Sequence, residues 1–167
     1  MKSAEFERFI ESWGSMGVLW GINRSMARVH AFIILSEDPV DLDTVVKELK
    51  ISRGNASMCL KELRNWRVIE RVHVSGDRRD YYISEADAWK MFFRIGLERK
   101  KREFDPALHA LRKLISEAEI ENGKNIKTRL KNMESLLSTL ERIAQNFLAD
   151  EEKSRSVLTL IESFMAK

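Results

Sequence analysis

A single cysteine in 167 residues, Cys59, excludes an internal disulfide framework and a cysteine-built zinc site, and it is the usage of a reducing compartment. Histidine is scarce as well: His30, His73 and His109 have no ligand spacing among them and no carboxylate cluster completes a set, so no metal and no cofactor is expected. Only 2 prolines and 7 glycines occur, which leaves no low-complexity segment and argues against disorder. No apolar run reaches the roughly eighteen residues of a membrane span. The opening MKSAEFERFIESWG is interrupted by charge where a secretion signal needs an apolar stretch, so a cytoplasmic location is expected. Also missing are a nucleophile with its base, a phosphate-cradling glycine loop and a recognisable pair of acids. The chain does not read as an enzyme.

What is present is 44% hydrophobic and 33% charged residues, the balance of a globular chain with solvated helical faces. A net charge of +3 with a pI near 9.0 is modest, so the placement of the basic residues matters more than their sum.

From Ser3 to Leu35 apolar residues recur at three and four, in two helical segments with a joint containing Gly14, Gly17 and Gly21. Pro39 disfavours helix at Asp38, and Asp41 can cap a new short helix carrying Leu42, Val45, Val46 and Leu49 and ending around Lys50. Ser52 reads as the next N-cap. The helix after it runs from Arg53 to about Asn65, with Ala56, Cys59, Leu60 and Leu63 on one side. Val68, Ile69, Val72 and Val74, the turn Ser75-Gly76-Asp77, and Tyr81, Tyr82 and Ile83 then make a hairpin with arginines at its tip. The remainder is helical: Ala86 to about Phe104, a helix started by Pro106, a long one from about Asn125 to Leu148, and a last one ending near Met165. Along the long one Ile126, Leu130, Met133, Leu137, Leu140, Ile143, Ala144 and Phe147 form an apolar ridge that needs a partner, either neighbouring helices or a second copy. The expected fold is mainly α with a small β-wing: N-terminal helices over residues 1–35, a winged helix-turn-helix over 36–85, and a C-terminal helical dimerisation region over 86–167.

A helix enters a DNA major groove only if its outer face lacks bulk and offers donors and acceptors, and the helix from Arg53 meets that requirement. Gly54 permits close approach, Asn55 suits an adenine edge, Ser57 donates or accepts, Met58 can touch a thymine methyl, and Arg53 and Lys61 reach phosphate or guanine. On its own this helix is equally an ordinary amphipathic surface helix. The wing tilts the balance, because Arg78 and Arg79 sit at a turn where packing does not require them and where a narrow minor groove would attract them. Asp77 can fix the Arg79 guanidinium by a bidentate hydrogen bond.

The stretch ISRGNASMCLKELRNW followed by ERVHVSGDRRDYYISEADAW resembles the winged helix-turn-helix of the MarR superfamily, with Asp77 and Arg79 at the wing-signature positions. More closely, WGSMGVLWG, ARVHAFIILSEDPVDLD and ISRGNASM resemble the GbsR-like branch, over about Trp13 to Trp89. The resemblance implies a dimer with interlocking terminal helices, Asn55, Ser57 and Met58 at groove-facing positions, and Arg79 serving the wing. It departs at Arg67, where the family usually has a glycine that ends the recognition helix in a left-handed conformation.

The function expected from these features is a homodimeric transcriptional regulator on a pseudo-palindromic site in double-stranded DNA, with recognition helix 53–65 and wing 75–80. The alternative is a helical adaptor whose winged module meets an acidic protein surface. Trp13, Trp20, Trp66 and Trp89 suggest either an aromatic cage for a quaternary ammonium effector or, more simply, packing at the junction of the head and the dimer helices. The run Arg99-Lys100-Lys101-Arg102 reads as a solvated face.

Overall fold

The computed structural model describes residues 4–117 and 124–166. The chain divides into two compact units, residues 1–91 and 92–167, and the division falls inside a helix.

The first unit begins with α1 (Ala4–Leu19) and α2 (Arg24–Ile34). The joint between them is narrower than the spacing of glycines suggests: only Gly21 takes a positive φ, 74°. Gly14 and Gly17 are buried inside α1, where they serve contact with α2. A Cβ on Gly17 would stand 2.6 Å from the Ala27 Cβ, so the two backbones approach as closely as they do because that side chain is absent. Glu11 of α1 accepts from Arg24 and Arg28 of α2, at 2.8 Å each, and closes the same seam.

The strand β1 (Val40–Asp41) follows, then α3 (Leu42–Leu49) and α4 (Arg53–Asn65), then β2 (Ile69–Val72) and β3 (Tyr81–Ser84). Both helix starts are capped as the sequence implies, with Asp41 accepting from the Thr44 amide at 2.8 Å and Ser52 from the Asn55 amide at 3.2 Å. Lys50 ends α3 in the left-handed region, φ 52°. Past α4, Arg67 does the same at φ 57°, so the missing glycine is answered by strain at Arg67 rather than by a different exit. The sheet has the order β1-β3-β2, antiparallel throughout, with Val40 opposite Tyr82 and Ile69 opposite Ser84.

The core of this unit is drawn from α2, α3, α4 and the start of the hairpin: Val29, Phe32, Ile33, Val45, Leu60, Leu63, Val68 and Ile69 are almost wholly buried. At about 1.5–3 kcal/mol for each large apolar side chain, α2 holds the head together as much as the head's own helices do. The helix α2 therefore belongs to the same packed unit as α3 and α4.

In the second unit α5 (Ala88–Arg99), which crosses the division, passes through a π-helical turn (Lys100–Phe104) into α6 (Asp105–Glu117), followed by α7 (Lys124–Ala149) and α8 (Glu151–Met165). The expected break before Pro106 does not occur. Its missing N–H falls in the first turn of α6, and the wider π-turn ahead of it carries the helix across. Phe93 packs on Phe147 (ring centroids 5.4 Å apart), and Gly96 admits Leu148, whose Cδ2 would lie 2.8 Å from a Cβ there.

Candidate nucleic-acid interface

The inner face of α4 is fixed by Ala56, Cys59, Leu60 and Leu63, all buried. Helical geometry then turns Arg53, Gly54, Ser57, Met58 and Lys61 outward, and all five are exposed. Met58 keeps 65% of its surface, much for an apolar side chain, and a Cβ on Gly54 would meet nothing within 4 Å. Neither residue is explained by the packing of this chain.

Asn55 is the exception and a correction to the expected outward face. It is half-buried, its Nδ2 donates to Ser25 Oγ of α2 at 3.1 Å, and its Oδ1 faces the Cys59 thiol at 3.4 Å. An amide so engaged ties α4 to α2. Cys59 itself is buried, and burial pushes its thiol up, away from the reactive thiolate.

The wing is braced through Asp77. Its carboxylate accepts the Arg79 backbone N–H at 2.9 Å, the Arg79 Nε at 2.9 Å and the Tyr81 hydroxyl at 2.8 Å. The hydrogen bonds from Arg79 hold the Asp77 carboxyl well below the usual carboxylate range, and the bond to Asp77 raises the Tyr81 hydroxyl. Arg79 also reaches back to Asp41, the cap of α3, and lies over the Tyr81 ring, 5.3 Å from its centroid. Asp41 is 3% exposed. Burial alone would raise it, but its hydrogen bonds from Thr44 and the charge of Arg79 outweigh that and leave it lowered.

The two wing arginines thus differ. Arg79 is a strut spent on two carboxylates, whereas Arg78 is exposed and pairs with no group among the described residues. Arg71 of β2 pairs with Asp80, next to Arg79, at 3.1 Å.

The four tryptophans lie in different settings. Trp13 stacks on Phe9 (5.6 Å) and meets His30 edge-on (6.1 Å), Trp66 is buried at the end of α4, and Trp20 and Trp89 are exposed by 47% and 36%. The basic run after α5 is largely self-neutralised, with Arg99 on Glu103 at 2.9 Å, Lys100 on Asp105 at 2.7 Å and Arg102 on Glu98 at 3.3 Å. Among the described residues no group of three metal-ligating side chains occurs, and no helix is long and apolar enough to cross a membrane.

Two short helices joined by a tight turn, followed by a hairpin whose second strand also pairs with the strand before them, settle the architecture. The head is a winged helix-turn-helix. A solved structure of a transcriptional regulator has the same fold, with a TM-score of 0.63 over 87% of this chain and 96% of that one, at 22% identity. In sequence, 85 residues of this winged-helix chain, 51% of its length, are 27% identical to the HTH-type transcriptional repressor GbsR of Bacillus subtilis (strain 168). The match covers 47% of that protein, so the chain accounts for about half the length of this relative. No family profile matches. The GbsR-like resemblance drawn from the residues is borne out by this relative, and the winged-helix fold by the structure.

Proposed function

We propose that the chain is a DNA-binding transcriptional regulator that acts as a homodimer, setting α4 in successive major grooves of a pseudo-palindromic site and the wing against the flanking minor groove. The observation that carries this reading is the outer face of α4. Arg53, Gly54, Ser57, Met58 and Lys61 stand exposed together on that face, beside a wing that presents Arg78. The sequence likeness to a repressor supports the same reading.

Pairing of two copies is supported by α7 and α8. On α7 Ile126, Met133 and Leu140 recur at sevens and remain 54%, 51% and 44% exposed, and Leu136 and Ile143 repeat that interval beside them. On α8 Val157, Leu160, Ile161 and Phe164 follow helical spacing and are likewise exposed. Apolar rows of this period are the seam of a helix pair, and a two-fold related second copy is the partner most readily available.

Selection of bound duplexes from a random pool tests the reading. The expected result is an inverted repeat with half-sites about one helical turn apart, bound with an affinity whose logarithm falls by about 0.9 per phosphate neutralised for each decade of salt. A pool with no enrichment would contradict it.

A further inference from the structure

A cleft of about 400 Å³ opens between α3, the start of α4 and the wing, and it gathers Arg53, Arg78 and Arg79 with the Ser57 hydroxyl. Its carboxylates are committed to very different degrees. Asp41 is buried on the Thr44 amide and Arg79, which makes that pair part of the frame. Asp80 is engaged by Arg71. Asp43 holds Arg53 alone, with side chains 60% and 66% exposed, and an ion pair so exposed to water is weak and exchanges readily. Arg78 is open to solvent. The cleft therefore offers one open guanidinium, Arg78, a second, Arg53, held by an exposed internal anion, and the Ser57 hydroxyl.

We propose that this cleft seats a phosphodiester of the DNA strand lying between the reading helix and the wing, and that Asp43 holds Arg53 in its place while DNA is absent. The inference rests on the DNA-binding reading above. A phosphodiester presents two oxygens to a guanidinium much as a carboxylate does, so Arg53 stays satisfied through the exchange while Asp43 is left beside a second negative charge. A contact to the backbone carries no base information. Asp43 thus lowers affinity for all sequences alike and acts as a built-in limit on non-specific binding.

The test measures binding of a fluorescent random-sequence duplex of about 30 base pairs, three helical turns, and of a duplex recovered by pool selection, across a salt series. Asp43→Asn should tighten both by about three- to tenfold near 0.1 M salt and leave their ratio unchanged. Arg53→Ala should weaken both and reduce the salt slope by about 1. In the Arg53→Ala background, the gain from Asp43→Asn should shrink to less than half. Glu37→Gln, which removes one exposed charge elsewhere on the same unit, controls for net charge. Equal gains from Glu37→Gln and Asp43→Asn, or an undiminished gain without Arg53, would overturn the proposal. If the unaltered chain binds duplexes and Asp43→Asn changes nothing, this proposal alone fails. If it binds neither duplex, the DNA-binding reading fails and this one with it.

Discussion

Lys50 and His30 each sit where their residue type is poorly suited, and each leaves a measurable trace. The left-handed φ of Lys50 costs a residue with a Cβ about 1 kcal/mol relative to glycine, and no described residue pairs with its ammonium. Lys50→Gly should therefore raise unfolding free energy by about 1 kcal/mol, read as a shift of a few degrees in thermal midpoint. His30 is 3% exposed with no hydrogen-bond partner for its Nε2 among the described residues, and burial pushes it down to about 4. The unfolded chain accepts a proton near pH 6.5 that the folded chain refuses until about 4. Stability is full above about 6.5 and is lost as pH falls between those values, by an amount on the order of 3 kcal/mol, with no further loss from this group below 4. His30→Phe, which keeps a ring against Trp13, should flatten that part of the profile in denaturant titrations. Glu11, lowered chiefly by its hydrogen bond from Arg24, and Asp41 act in the same sense at lower pH, each giving up stability as it is protonated through its own depressed value. A slope that survives His30→Phe would show that other groups carry it.

At the scale of elements, the reading helix and the wing were legible to different depths. The bounds of α3 and α4 follow from local chemistry, since Asp41 and Ser52 announce their caps and the apolar spacing announces the buried side. Asn55 was not legible, because the Ser25 hydroxyl that turns it inward lies 30 residues earlier and on another helix. The strand β1 was missed for a related reason: two residues cannot display alternation, and it exists only through pairing with β3. The Asp77 brace on Arg79 was visible in their spacing, but the Tyr81 hydroxyl that joins it was not, and the second anchor of Arg79 on Asp41, 38 residues away, depends on that unseen strand. On the proposed DNA-binding reading, the neighbouring arginines divide the labour. Arg78→Ala should weaken DNA binding several-fold, as the loss of a single exposed cation to a phosphate or minor groove does, with an unchanged melting temperature. Arg79→Ala should lower the melting temperature as well, because it leaves Asp41 buried without its cation. Equal melting temperatures for the two variants would refute the distinction.

For the whole molecule, the helical character of the second half could be read from period alone, but which of its apolar residues stay uncovered could not. Phe147 of the expected ridge is taken up by Phe93, whereas Ile126, Met133, Leu140 and Ile143 are left at the surface. Sequence period marks an apolar side and does not say how much of it the chain itself can cover. On the proposed pairing, Leu140→Asp should leave the fold of a protomer intact while shifting sedimentation from dimer to monomer. It should also weaken binding to an inverted repeat far more than binding to a single half-site. Retention of the dimer would move the pairing surface elsewhere.

Because the Asp41 carboxylate is shared between the first turn of α3 and the tip of the wing, neither can fray without disturbing the other. Segments so linked open together. In amide hydrogen exchange, the Thr44 and Arg79 amides, far apart in the chain and both bonded to aspartates of this network, should show the same opening free energy and the same denaturant dependence. Asp41→Asn should separate them into two independently exchanging sites. The wing would then be a piece of the helix-turn-helix foldon rather than a hairpin attached to it.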